Sequence, residues 1–221
     1  MWFKRNLPTM ILVLIMLLVS YVRYAALPDS LPSHFSLDGM PDAYMPKNVM
    51  VILFPGILLG ALVFSNVMVR MSPKRYSMPN SRNTLDQIIL GCAMLFMGIH
   101  LATMLAPGPL APDTLPTRFA VSGIAAFLIL AGNMLAKSER NFFVGLRLPW
   151  TLASIENWTA THRLAGKLMV GCGMVLLLAL PFYARVSAAT IGILLSVGLP
   201  CLYSFAYYLI REKPRESKDD N

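Results

Sequence analysis

Residues 48–69 read NVMVILFPGILLGALVFSNVMV and contain no charged side chain. A helix of this length extends about 33 Å at 1.5 Å per residue, which matches the roughly 30 Å hydrocarbon core of a bilayer. A helix also satisfies its own backbone hydrogen bonds, for which lipid offers no partners. The stretch therefore predicts a transmembrane helix.

Five further apolar stretches of similar length surround this one. They cover residues 7–26, 85–106, 119–136, 164–184 and 187–210. Over all 221 residues, 56% are apolar and 14% are charged, whereas a soluble domain carries about 25% charged residues. We therefore predict an all-α fold, a polytopic membrane bundle of six helices. The composition argues against a soluble enzyme, a disordered chain and a coiled coil.

The distribution of basic residues predicts the orientation of these helices. If both termini are cytoplasmic, fifteen of the nineteen Lys and Arg residues lie inside, and four lie outside: Arg23, Lys47, Arg118 and Arg185. The positive-inside rule favours this topology. Arg23 and Tyr24 stand where small residues should precede a cleavage site, which favours a retained first helix over a signal peptide. A basic inner face attracts anionic lipid headgroups, so direct nucleic-acid binding is not needed to explain the net charge of +8.

The first outer loop, residues 27–47, reads LPDSLPSHFSLDGMPDAYMPK. Its four prolines exclude a regular helix, and the dipeptides at 38–39 (Asp-Gly) and 41–42 (Pro-Asp) are typical of turns. We expect a compact, ordered loop in which Phe35 and Tyr44 pack onto the helix ends.

The second outer loop contains an echo of the first. Residues 28–35 read PDSLPSHF and residues 112–119 read PDTLPTRF, with five of eight positions identical. The echo predicts a parallel repeat in which spans 1–2 and spans 3–4 are equivalent helix hairpins. Chance convergence of two proline-rich connectors is the alternative. In a true repeat, the two loops lie side by side and form one outer cap.

The inner segment, residues 137–167, reads KSERNFFVGLRLPWTLASIENWTATHRLAGK. Apolar residues alternate over 142–150, which predicts an extended chain with one apolar side, and Gly145 and Pro149 argue against a helix there. The segment is either an interfacial elbow with aromatic anchors and snorkelling cations, or a docking surface for a cytoplasmic partner.

A helix is predicted to begin after Ser154 and to run on into the fifth span. The Ser154 side chain can cap this helix. Ile155, Trp158 and His162 are spaced so that they share one of its faces.

Small residues predict close helix packing at three places. These are the pair at 56 and 60, the pair at 192 and 196, and the glycines at 166, 171 and 173.

Three polar side chains fall inside the predicted spans: Asn66, His100 and Asn133. They are either functional groups or partners in hydrogen bonds between helices. In this topology His34 lies outside, His100 within the membrane and His162 inside, so the three histidines cannot share a metal ion. No zinc-enzyme, hydrolase or phosphate-loop motif is present. We therefore predict no enzyme activity, no metal and no cofactor.

At its two loop motifs the sequence resembles the SdpI family of bacterial membrane proteins. The outer pattern LP…LPSHFSLDGMPDAYMPK is similar to the domain often found ahead of the SdpI core, although members often have Trp and Asn where this chain has Phe35 and Ser36. The inner pattern, N-x-x-x-G-x-R-x-P-W-T followed by W-x-x-x-H-R-x-x-G, falls on Asn141, Gly145, Arg147, Pro149, Trp150, Thr151, Trp158, His162, Arg163 and Gly166.

The resemblance implies a multi-pass protein of the bacterial inner membrane that confers immunity to a secreted peptide toxin. It also implies signalling through a small helix-turn-helix repressor held at the membrane. We expect the toxin or another ligand to bind the outer loop at Pro28, Asp29, Pro32, His34, Phe35, Gly39, Pro41, Asp42 and Lys47. We expect the inner motif, together with Lys167, to bind a partner or membrane lipids.

The resemblance divides the chain into three parts. Residues 1–84 form an N-terminal helix hairpin with its outer loop and a basic inner connector. Residues 85–210 form a four-helix core that carries the inner motif, and residues 211–221 form a charged tail. A small transporter is the alternative function, although the apolar middle of the predicted spans offers it few polar groups. A membrane enzyme would need a nucleophile or metal cluster that the sequence does not contain.

Overall fold

A computed structural model of the chain describes residues 2–36, 38–71, 81–140 and 144–212. Within these ranges six helices are long and apolar enough to cross a membrane, which confirms the predicted multi-pass bundle. The helices are α1 (Trp2–Arg23), α2 (Lys47–Met71), α3 (Ser81–Leu105), α4 (Leu115–Leu135), α5 (Pro149–Ala153), α6 (Ile155–Ala179) and α7 (Val186–Tyr207). Helix α5 is one short turn before α6, and a π-helical turn, Tyr208–Glu212, follows α7. Most of the predicted basic connector and of the charged tail lies outside the described residues.

The fifth predicted span, residues 164–184, is displaced in the structure. Helix α6 begins at Ile155, as the cap signal predicts, but ends at Ala179. The Tyr183 amide donates to the Ala179 carbonyl at 2.7 Å, so the chain turns where the sequence predicted more helix. Pro181 accounts for this early end, because proline has no N–H to continue the helical hydrogen bonds and its ring crowds the carbonyl one turn earlier.

Helix α4 lies at the centre of the helical packing. It contacts α3 on one side and α6 on the other, α7 packs against α6, and α1 and α2 pack against α3. Two clusters of buried apolar side chains follow this arrangement. Between α4, α6 and α7 they are Val121, Ala125, Leu128, Met169, Leu176 and Ala189, and between α1, α2 and α3 they are Val13, Met16, Leu58 and Ala93.

Glycines set the closest helix contacts, but not at every predicted place. A Cβ on Gly166 of α6 would lie 2.5 Å from the Gly132 carbonyl oxygen of α4, and one on Gly173 would lie 2.7 Å from the Ala125 carbonyl oxygen. By contrast, a Cβ on either glycine of the 56–60 pair would meet nothing within 4 Å. The predicted packing face on α2 is therefore wrong, because this side of α2 points away from the described part of the chain.

The first outer loop forms a β-hairpin, which the sequence analysis did not predict. Strand β1 (Ser30–Phe35) pairs antiparallel with strand β2 (Pro41–Pro46). Gly39, in the connecting turn, has a φ of 82°, which favours glycine over residues with a side chain. Phe35 packs against a buried apolar cluster, as expected. Tyr44 is 59% exposed, so its predicted packing is wrong, because β2 turns outward along almost its whole length.

The two echo segments adopt different secondary structures. Residues 28–35 contain β1, whereas residues 112–119 contain the start of α4, where proline occupies one of the first helical positions. Proline suits that position because its missing N–H needs no partner there. The loops nevertheless lie side by side, since the Leu110 amide donates to the Gly39 carbonyl oxygen at 2.8 Å. The adjacency is confirmed, and the parallel repeat stays a prediction.

Candidate functional site

One end of the bundle carries a cap made from three connections, residues 24–46, 106–114 and 180–185, which we call the outer cap. The name follows the orientation predicted from charge. Hydrogen bonds join all three connections. Besides the Leu110–Gly39 bond, the Ala184 amide donates to Asp113 Oδ1 at 2.6 Å and the Asp113 amide donates to the Ala184 carbonyl at 2.9 Å. The cap is therefore one connected structure.

Part of the predicted outer ligand set holds the hairpin in place. Lys47 bonds to Asp29 with 3.0 Å between Nζ and Oδ1, and its ammonium lies 5.3 Å from the Tyr24 ring centre. Pro32 and Gly39 are buried, and Phe35 and Pro41 are half-buried. The main role of these residues is therefore to hold the loop in position, and most of them expose little surface to a ligand.

The other part of this set lies on the outer surface of the hairpin. His34 and Asp42 are exposed and paired, with 2.6 Å between Nδ1 and Oδ1. Pro28 is exposed beside the base of the hairpin. With Asp29, whose side chain is 99% exposed although it pairs with Lys47, these residues are the accessible members of the predicted ligand set.

A cleft of about 400 Å³ opens on another part of the cap. Its walls come from the hairpin turn, the second outer loop and the start of α7: Asp38, Leu110, Pro112, Arg185, Val186 and Ser187. A hydrogen bond from the Ser36 hydroxyl, 2.6 Å long, lowers the pKa of Asp38 below its usual value, so this carboxylate is ionised at neutral pH.

Arg185 supplies the opposite charge in this cleft, which we call the outer cleft. Its guanidinium lies 4.9 Å from the centre of the Tyr183 ring. Among the residues that the structure describes, no ion pair joins Arg185 to Asp38. Sequence reasoning missed Arg185 as a site residue. The only indication in the sequence was that Arg185 is one of just four basic residues on the predicted outer face.

The opposite end of the bundle carries the inner motif. Residues 136–140 and 144–154 wrap the start of α6, and we call them the inner elbow. His162 lies at its centre, fully buried, with its ring stacked on Trp158 at 3.9 Å between centroids. The Leu146 amide donates to His162 Nε2 at 2.9 Å. Nε2 therefore accepts, the proton sits on Nδ1, and Nδ1 donates to the Trp158 carbonyl at 2.7 Å.

Gly145 allows the elbow to approach this histidine. Its φ is 126°, and a Cβ there would lie 2.3 Å from His162 Nε2 and 3.0 Å from Trp158 Cη2. Thr151 closes the turn, because its hydroxyl donates to the Leu146 carbonyl at 2.7 Å. The structure thus brings Gly145, Trp158 and His162 into contact, and Thr151 holds the turn beside them.

One detail of the predicted elbow is wrong. Pro149 begins α5 instead of preventing a helix, because proline fits the first helical turn, where its missing N–H needs no partner. Ile155, predicted to share one face of α6 with Trp158 and His162, is 60% exposed, whereas the other two are buried. The elbow covers the turns that carry Trp158 and His162, so the first residue of the helix stays open. The Ser154 cap is confirmed, since the Asn157 amide donates to its hydroxyl at 3.2 Å.

A buried polar cluster that the sequence analysis missed joins the elbow to α7. Trp150 Nε1 donates to Ser204 Oγ at 2.7 Å, and Ser204 Oγ donates to Asn157 Oδ1 at 3.1 Å. Asn157 Nδ2 also reaches Glu212 Oε2 at 3.3 Å, and Thr161 donates to Asn157 Oδ1 at 3.0 Å. The spacing of Asn157 and Thr161, one helical turn apart, was the available signal in the sequence.

The remaining described residues of the inner motif lie either on the protein surface or in the contact between α4 and α6. Arg147, Arg163 and Lys167 are exposed, and Gly166 is buried against α4. Asn141 lies outside the described residues.

Two stretches of the chain are similar to known protein families. Residues 137–208 match the SdpI/YfhL protein family, and residues 11–59 match a domain of unknown function, DUF1648. The chain is also 27% identical to Immunity protein SdpI of Bacillus subtilis (strain 168) over 213 residues, which cover 93% of this chain and 96% of that protein. The chain is thus similar to the SdpI/YfhL family over residues 137–208, and to Immunity protein SdpI over almost its whole length. No solved structure matches it.

The SdpI-matching region contains the whole described elbow after Ala136, together with all of α6 and α7. The elbow contacts of His162 and the Trp150–Ser204 bond therefore both lie inside the family region. The DUF1648 match contains the hairpin and most of α1, together with the outer half of α2. The outer cleft lies between the two regions, because Asp38 belongs to one and Arg185 to the other.

The polar residues of the spans have separate roles. His100 Nε2 lies 3.0 Å from Ser20 Oγ and 3.1 Å from the Met16 carbonyl oxygen, so it bonds α3 to α1. Asn133 is exposed on α4, and Asn66 donates to the Leu62 carbonyl of its own helix. Within the described ranges of the chain, no group of three His, Cys, Asp or Glu side chains could hold a metal ion.

The His162–Leu146 bond gives a testable prediction for the inner elbow. His162→Phe keeps an aromatic ring beside Trp158 but leaves the buried Leu146 amide without an acceptor, so we expect a loss of about 1–3 kcal/mol in the free energy of unfolding. Thermal unfolding of detergent-purified protein, with amide hydrogen exchange at the elbow, measures it. His162→Gln is the control, because its amide oxygen can replace the acceptor. Equal stability of wild type and His162→Phe would refute the prediction.

Proposed function

We propose that this protein is an immunity protein of the bacterial inner membrane. In the proposal it binds a peptide toxin or a similar ligand at the outer cap and signals to a cytoplasmic partner through the inner elbow. The family match and the similarity to Immunity protein SdpI of Bacillus subtilis support the immunity role. The outer cleft supports ligand binding, because it combines an apolar wall with an ionised carboxylate and a guanidinium that are not paired with each other.

The observation that carries the proposal is the path of α7. Its first residues, Val186 and Ser187, line the outer cleft, and Ser204 near its other end holds the indole of Trp150 in the elbow. A helix is a stiff rod, and α7 spans about 27 Å between these contacts. A ligand that binds better to one position of α7 than to another would therefore shift the elbow. The elbow residue Arg147 is exposed, and its positive charge complements an acidic partner surface.

A protection assay tests this function. Toxin-sensitive cells express the wild type or Arg185→Gln, and insertion of each protein in the membrane is verified. An Sdp-type peptide toxin is then added, and the membrane potential of the cells is measured over time. We expect the wild type to preserve the potential. We expect Arg185→Gln to need roughly tenfold less toxin for depolarisation, since a charged hydrogen bond contributes about 1.5–3 kcal/mol.

Two further variants locate the parts of the mechanism. Asp42→Asn removes a charge of equal size from the other surface of the hairpin, and we expect a smaller loss of protection than from Arg185→Gln. Arg147→Ala is expected to keep protection, because the elbow lies at the far end of α7, and to lose binding of the inner partner. If wild type and empty vector depolarise alike, immunity to this toxin is refuted.

A further inference from the structure

A second cleft, of about 480 Å³, opens at the inner end of the seam between α4 and α6. It lies between the chain just after α4 and the first turns of α6, and we call it the inner cleft. Its lining carries three cations, Lys137, Arg140 and Arg163, against one carboxylate, Glu139. The inner cleft is therefore basic, in contrast to the outer cleft, which has one charge of each sign.

The cations of this cleft differ in what holds them. Arg140 Nη1 donates to the carbonyls of Leu152 and Ala153, at 2.9 and 3.2 Å, which fixes its guanidinium at the end of α5. Lys137 and Arg163 are exposed, and within the described residues neither forms an ion pair. Two unpaired cations beside a fixed third one make a site for an anion.

The depth of the cleft indicates which anion. Gly166 packs directly on Gly132 and Ala136, so Arg163, one turn earlier in α6, lies level with the end of α4. In a membrane bundle, the end of a spanning helix marks the headgroup layer, where cationic side chains meet lipid phosphates. An acidic peptide would have to reach the cleft through that layer.

The uncharged lining fits the same ligand. Thr159 lies one turn before Arg163 on the same face of α6, so its hydroxyl can add a hydrogen bond to a phosphate held by the guanidinium. Ile155, 60% exposed at the edge of the cleft, offers an apolar contact. Basic pockets between helices on the cytoplasmic side of membranes recognise anionic headgroups in this way.

We propose that the inner cleft binds the headgroup phosphate of an anionic phospholipid. Lys137 and Arg163 supply the charge, Arg140 closes the site, and the lipid ties the end of α4 to the elbow. This inference does not rest on the proposed immunity function, because it concerns the resting protein in its own bilayer.

The test uses full-length protein purified in a neutral detergent. Phosphatidylglycerol and phosphatidylcholine are titrated separately, and bound lipid is counted by native mass spectrometry. We expect selective binding of phosphatidylglycerol and a loss of about fivefold in affinity for each of Lys137→Gln and Arg163→Gln, since a basic residue near an anionic surface contributes about 1 kcal/mol. Arg163→Lys should keep most of the binding. Arg211→Gln, which removes an exposed inner cation outside the cleft, should leave it unchanged.

Four results would overturn the proposal. Equal affinity for the two lipids, or unchanged affinity in the double variant Lys137→Gln/Arg163→Gln, would show that the cleft does not select the anionic headgroup. Displacement of the lipid by millimolar inorganic phosphate would identify a site for a soluble anion, and displacement by an acidic peptide would identify a protein site. Thermal unfolding of each variant without added lipid shows whether it is folded. We expect midpoints equal to that of the wild type, because both side chains are exposed.

Discussion

Gly145→Ala is expected to disrupt the inner elbow while leaving the membrane helices inserted. The added methyl would lie 2.3 Å from His162 Nε2 in a backbone conformation, φ 126°, that residues with a side chain rarely adopt. Strain and overpacking at such a site cost about 3 kcal/mol or more in total. The Leu146 amide would then leave its acceptor, and Trp158 would lose its cover.

Amide hydrogen exchange of purified protein measures this effect at its source. We expect fast exchange at Leu146 and at neighbouring elbow amides, a lower thermal midpoint and loss of the proposed partner binding. Gly108→Ala is the matched control, because a Cβ at Gly108 meets nothing within 4 Å. If Gly145→Ala exchanged as slowly as the wild type at Leu146, the described elbow geometry would be wrong.

Gly166→Ala is expected to be among the most damaging single-methyl changes within the membrane helices. Its Cβ would lie 2.5 Å from the Gly132 carbonyl oxygen and 2.6 Å from Ala136 Cβ, so α4 and α6 would have to move apart. Overpacking of a close contact typically costs about 1–3 kcal/mol, and here much of the opposing surface is backbone, which cannot rotate away. The separation would also widen the inner cleft.

The same helix supplies the control for this change. Gly171→Ala adds the same methyl to α6 at a position where a Cβ meets nothing within 4 Å. Thermal unfolding in one detergent compares the two variants directly. We expect a clear fall in midpoint for Gly166→Ala and almost none for Gly171→Ala. Equal midpoints would contradict the observed contact between α4 and α6.

These two glycines show how far the sequence can predict the site. The inner motif identified Gly145, Trp158 and His162 as residues that act together, and the structure brings them into contact. The outer ligand set was predicted less completely. It contained the accessible pair of His34 and Asp42, but not the two opposite charges of the outer cleft.

The β-hairpin was missed for a physical reason. Proline lacks the donor that a sheet needs, so a segment with four prolines, residues 27–47, shows no regular strand pattern in the sequence. In the structure Pro41 and Pro46 stand at the ends of β2. Strand ends and edges tolerate proline because no inward hydrogen bond is lost there. Only the pairing itself reveals which positions these are.

The sequence by itself determined the membrane-spanning class, the six helices and the cap of α6. Each depends on neighbouring residues alone, through the length of an apolar run or one side chain beside a helix start. Only the tertiary structure decided which glycines pack, that Asp38 and Arg185 share a cleft, and that Trp150 bonds to Ser204. These contacts join residues far apart in the chain. They depend on how the helices are arranged around α4, which no local pattern specifies.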